Sequence, residues 1–234
     1  MGESDQYSDV AISPDGARVA ITAVHGGQTE IRVLDARGTR SRLTSGGLNL
    51  FPVWSADGRQ IYFTSNENGP YDIFVKTADG SGDRQPVVKF EKGHLGAAFV
   101  AASPDGKYLA FVMIGPAGKL DIYTVPLAGD RIPRPFIKSL VNASVPTFAP
   151  DGKWLAYESN QSGRNEVYIT PFPEGGAQYK VSTNGGDRPV WRHDGKEIFY
   201  REYLMLMAVE LKPRGRTIDL ECSKAAVRSG GAQP

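Results

Sequence analysis

Three histidines (His25, His94 and His193) and one cysteine (Cys222) are the first places to look for metal-binding or nucleophilic chemistry in the 234-residue chain. No two of the histidines have the spacing of a metal-ligating pair, and none lies near Cys222 in sequence. A lone cysteine forms no internal disulfide and reads as a small buried thiol. His193 sits inside a turn and reads as a surface residue. Carboxylates number 26, and glycoside cleavage needs two of them flanking one bond, yet none is set apart by its context. A Gly-x-Ser-x-Gly elbow is missing. The glycines of Gly80-Ser81-Gly82 come without the lysine and helix of a phosphate loop. The expectation is no catalytic residue, no metal and no cofactor.

What the chain does contain is one sentence written five times. Asp-Gly pairs stand at Asp15, Asp57, Asp105, Asp151 and Asp194, with separations of 42, 48, 46 and 43 residues. That period suits a four-stranded propeller blade better than an ankyrin or leucine-rich unit. A short apolar run precedes each pair, as in "LFPVWS" and "RPVWR", and a second follows it, as in "RQIYFTS" and "KEIFYRE". Asp-Gly readily takes the positive φ of a tight hairpin. Four units then carry a polar loop, an acidic residue and a third run such as "DIFVKTA" or "EVYITPF". A more polar fourth run closes the unit. The second runs are apolar on both faces, with Leu155 and Tyr157 on one side and Ala156 on the other, as strands covered on both faces require. No stretch shows sustained helical periodicity.

The pattern "SPDGKYLAF…LDIYTV" resembles the TolB-like repeat, a relative of the WD-repeat β-propellers. Trp54, Phe148 and Trp191 hold its aromatic slot, with Ile12 and Ala102 in their place in two units. Glu30, Asp72, Asp121 and Glu166 hold its acidic slot. The fifth unit departs, having a shorter loop and Met205 where the acid belongs. The resemblance implies an all-β, five-bladed β-propeller of four-stranded antiparallel blades, and a bacterial, periplasmic or otherwise extracytoplasmic scaffold. One domain over 1–234 is expected, with units at about 7–45, 46–92, 93–140, 141–184 and 185–224 and a tail at 225–234.

A residue present in every blade does one job five times, and that job is structural. Asp15, Asp57, Asp105, Asp151 and Asp194 are assigned to the hairpins, and Trp54 and Trp191 to packing between blades. The acids before the third strands are expected to anchor a neighbouring backbone or basic side chain. Function is sought in the loops that vary. His94, Asn142, Asp187 and Arg188 precede inner strands and are expected nearest the channel mouth, on the face opposite the hairpins. With 27 basic and 26 acidic residues in no long blocks, the net charge of +1 offers no concentrated basic face for nucleic acid. No apolar run reaches the 18 residues of a membrane helix, and the opening "MGESDQYSDV" lacks the basic and apolar regions of a signal peptide. The resulting expectation is a monomeric, non-catalytic scaffold binding a protein or peptide at its loop face or central channel. The alternatives are an enzyme acting in the channel, such as a glycosidase or lactonase, or a fragment of a larger propeller protein.

Overall fold

The computed structural model describes residues 6–67, 69–91, 95–138, 141–214, 217–220 and 224–228. His94 and Cys222 lie outside the described residues. Each sequence unit forms one antiparallel sheet. The first contains β1 (Gln6–Ile12), β2 (Arg18–His25), β3 (Gln28–Asp35) and β4 (Arg40–Arg42). β5 (Asn49–Trp54), β6 (Gln60–Ser65), β7 (Asp72–Thr77) and β8 (Gln85–Val88) make the second. The third is β9 (Gly96–Ala102), β10 (Tyr108–Ile114), β11 (Leu120–Pro126) and β12 (Arg134–Ile137). β13 (Ala143–Phe148), β14 (Trp154–Ser159), β15 (Glu166–Pro171) and β16 (Tyr179–Lys180) form the fourth. In the fifth, β17 (Asp187–Trp191), β18 (Glu197–Glu202), β19 (Met205–Arg214) and β20 (Thr217–Leu220) follow one another, and β21 (Lys224–Arg228) also pairs with β19. In the first four sheets neighbours in space are neighbours in sequence, and in the fifth the β19–β21 pair departs from this. This is an all-β fold of five blades of the β-propeller kind.

The fifth blade differs at its outer edge. β19 is ten residues long, and its far half pairs with β20 (Leu211↔Leu220) while its near half pairs with β21 (Met207↔Ala225). In the fourth blade the outer strand sits opposite Tyr168 and Ile169, the positions equivalent to Met207 and Ala208. The equivalent outer place is therefore held by β21, in a segment whose sequence reads mostly as tail, and "TIDL" forms an added hairpin.

The chain divides into two compact units, Met1–Lys119 with Tyr123–Pro135, and Leu120–Ile122 with Phe136–Pro234. In the first unit, Ala20, Ile31 and Val33 of the first blade pack against Trp54, Ile61 and Phe63 of the second. Tyr62 and Ile73 of the second then pack against Leu109 and Phe111 of the third. Packing in the second unit joins Ala156, Val167 and Ile169 to Trp191, Ile198 and Tyr200. β14 is buried at all six residues, which its two-faced apolar pattern anticipates.

Trp54 and Trp191 couple blades by geometry as well as by area. The Trp54 indole N–H donates to the Ala11 carbonyl at 2.9 Å, and the Trp191 indole N–H to the Thr147 carbonyl at 3.2 Å. Burying the ring while spending its one polar atom on the preceding blade leaves no cost for the N–H. The Arg18 guanidinium also stacks on Trp54, 4.7 Å from the ring centroid.

Candidate functional site

The repeated residues come first, because they define what is structural. In the first blade the Asp15 carboxylate accepts from the Ser13 hydroxyl at 2.5 Å and from the Ala17 amide at 3.0 Å, while Ser13 Oγ accepts the Arg18 amide at 2.9 Å. Ser55–Asp57 and Ser103–Asp105 reproduce this arrangement. Asp151 keeps the amide of Lys153, and Asp194 adds a two-pronged bond from Arg192, which holds its carboxyl down to about 2. Only the glycine of each pair has positive φ, between 67° and 71°. The aspartate serves as an acceptor for the turn rather than as a left-handed residue, which is the Asx-type role.

Three of the acids before the third strands act on neighbouring chain. Glu30 pairs with Arg32 and Arg42 at 2.5 and 2.7 Å, and Asp72 accepts the Phe90 amide at 2.8 Å. Glu166 is fully buried and accepts from the Ser182 hydroxyl (2.5 Å), the Gly185 amide (3.0 Å) and Arg164 Nε (3.0 Å). Burial pushes its carboxyl up, and those three bonds outweigh burial and bring it below the ordinary glutamate range.

Against that constant frame, one position stands out. One equivalent residue near the start of the inner strand is left-handed at Phe51 (φ 54°), Phe99 (47°), Val145 (49°) and Arg188 (51°). Each lies in a bulge, where the register with the second strand slips. None is a glycine or asparagine, and Val145 is β-branched, a residue that rarely adopts this conformation. In the first unit the bulge brings the Phe51 and Phe99 rings to 4.7 Å between centroids. A second position also changes character along the array, reading Thr22, Thr64, Val112, Glu158 and Arg201 from first blade to fifth.

The two changes meet in the second unit. Glu158 is buried, and its carboxylate accepts the Arg188 amide at 2.5 Å and the Ser144 hydroxyl at 3.4 Å. Burial pushes its carboxyl above the ordinary range, against the pull of the Arg188 amide. Asp187 receives a two-pronged bond from Arg201 at 2.8 and 2.7 Å. The Arg188 side chain is exposed and makes no hydrogen bond among the described residues. Thus Asp187 and Arg188 stand together at the start of β17. Asn142, one residue before β13, links its backbone amide to Asn160 Oδ1 at 2.9 Å and accepts the Leu120 amide at 3.1 Å. Glu158 and Arg201 were not singled out in the sequence. The signal available there was that their repeat position is threonine or valine in the other blades. Among the described residues no group of three His, Cys, Asp or Glu side chains is arranged to hold a metal, and no helix is long and apolar enough to cross a membrane.

Residues 80–205, more than half of the chain, match the family model described as the TolB beta propeller domain. The chain belongs to this family. The Tol-Pal system protein TolB of Bordetella parapertussis is 30% identical over 162 residues, which cover 68% of this chain and 36% of that protein. The chain therefore spans about a third of the length of the curated TolB relatives it matches first. A solved structure of putative TolB from Agrobacterium tumefaciens has a TM-score of 0.74 at 15% identity, covering 94% of this chain and 82% of that one. Oligogalacturonate lyase from Vibrio parahaemolyticus gives a TM-score of 0.68 at 12% identity, with 92% and 64% covered. At such identities these two structures share the TolB-type fold with this chain, and chemistry has to be argued from its own residues.

Proposed function

We propose that the chain is a non-catalytic propeller module that binds a protein or peptide at the end of the second unit bearing Asn142, Asp187 and Arg188. The observation that carries the reading is the bulge at Arg188. The same left-handed position holds half-buried Phe51, Phe99 and Val145 in other blades, so the bulge itself belongs to the repeat. What is particular here is the side chain it carries, an exposed cation whose backbone amide is bonded to the buried Glu158. Membership of the TolB family supports a protein partner, since the Bordetella relative is named as a Tol-Pal system protein. By the same resemblance a periplasmic or extracytoplasmic setting is proposed.

The fold likeness to oligogalacturonate lyase favours a second reading, an enzyme acting in the propeller channel. Glu158, a buried carboxyl held above its ordinary range, would be its candidate acid. Turnover of a glycoside or lactone panel that disappears in Glu158→Gln would establish that reading in place of the first.

Selection from a displayed random-peptide library on the immobilised protein tests the proposal. Enriched peptides are expected to lose binding when Asn142, Asp187 and Arg188 are replaced together by alanine. They should keep it when the hairpin residues Lys107, Lys153 and Lys196 are replaced instead. Loss only in the hairpin variant, or no enrichment at all, would reject it.

A further inference from the structure

The turn between β18 and β19 departs most from the repeat. Glu202 pairs with Met205, so the loop is the two residues Tyr203–Leu204, where the first blade has Gly26–Gly27 and the second, third and fourth have longer loops. Tyr203 has φ of 52°, in a turn pattern that ordinarily takes glycine at its first position. Holding tyrosine there costs about 1 kcal/mol. Little apolar surface is buried in return, since Tyr203 is 81% and Leu204 79% exposed, more than any other large apolar side chain described.

The turn stands over a cavity of about 280 Å³ lined by Arg164, Asn165, Gly185, Gly186, Asp187, Arg201 and Tyr203. Opposite charges pair around this cavity, but not with equal exposure. The Arg164 and Arg201 side chains are each 54% exposed, whereas Glu166 is 0% and Asp187 32% exposed. Glu158 is buried as well, and Arg188 beside Asp187 is exposed. The surface therefore shows its guanidinium groups to solvent more than its carboxylates, of which Asp187 is the most exposed. Tyrosine and arginine around a cavity are the residue types that dominate binding energy at protein interfaces.

We infer that Tyr203, Leu204, Arg164, Arg188 and Arg201 form one docking surface for an acidic peptide segment carrying an apolar side chain. The apolar residue packs on the Tyr203–Leu204 turn, and the flanking carboxylates meet the guanidinium groups, which also steer the encounter. This inference rests on the function proposed above and adds the chemistry of the partner.

The test uses three fluorescein-labelled, acetylated dodecapeptides with one central Leu-Phe pair. Their other residues are glutamate, glutamine or lysine. By anisotropy the glutamate probe is expected to bind, with affinity falling as salt rises. Arg188→Gln and Tyr203→Gly should each weaken it about tenfold. Tyr203→Gly carries the decisive contrast, because glycine relieves the left-handed turn and should raise stability while binding falls. Equal or tighter binding of the glutamine or lysine probe would overturn the acidic partner, as would an unchanged affinity in Tyr203→Gly or absence of saturable binding by the glutamate probe. Library peptides that depend on Arg188 but lack acidic residues would leave the general function standing and remove this inference alone.

Discussion

Gly96→Ala is expected to destabilise the first unit by roughly 3 kcal/mol, among the largest effects available to a single methyl group. Gly96 begins β9 at φ 104° and forms a parallel bridge to Tyr71, the residue before β7. Around it, the Tyr71 amide donates to the Leu95 carbonyl at 3.2 Å and the Ala97 amide to the Tyr71 carbonyl at 2.8 Å. A Cβ on Gly96 would lie 2.7 Å from Tyr71 Cα and closer still to its backbone N and O. Backbone cannot swing aside as a flexible side chain can, so the second and third blades must part locally. Gly163→Ala is the control, since Gly163 also has positive φ (93°) but open space around it. That substitution should cost only about 1 kcal/mol. Urea unfolding of both variants checks the difference, and equal losses would show that the bridge contributes little.

Glu166→Ala should cost the second unit about 3 kcal/mol, the scale of breaking a buried charged network. It leaves the Ser182 hydroxyl and the Gly185 amide without their acceptor. The pH dependence has a definite sign. The folded-state carboxyl lies below the ordinary glutamate range, so its contribution is complete above the unfolded-state value and is lost as pH falls through the folded-state value. The gap in stability between wild type and Glu166→Ala should therefore narrow on acidification from neutral pH to below the glutamate range. A gap that stays constant or widens in acid would mean that Glu166 is not stabilised as an anion.

The blades were readable in the sequence because their signals are local and repeat. Asp-Gly turns and two-faced apolar runs state their own geometry five times over. The left-handed bulges were not readable, since phenylalanine, valine and arginine give no hint of positive φ. There the backbone yields to register, because each inner strand must slip one residue against its neighbour to keep packing on both faces. Asp187 and Arg188 could be chosen from their place before an inner strand, whereas the support of Glu158 beneath Arg188 depends on a contact 30 residues away. The short fifth loop was visible as a departure, with Met205 in place of an acid. That the tyrosine and leucine of this loop would stand in solvent emerged only once β18 and β19 were paired residue by residue. At the outer edge of the fifth blade "TIDL" has strand character of its own, and only the length of β19 shows that two strands share it.

Hydrogen exchange on the protein bound to a library-selected peptide tests the central claim most directly. Slowed exchange is predicted for amides in 185–191 and 201–206, at the start of β17 and across the β18–β19 turn. Protection confined to the Asp-Gly hairpins near 105–107, 151–153 and 194–196 would contradict it.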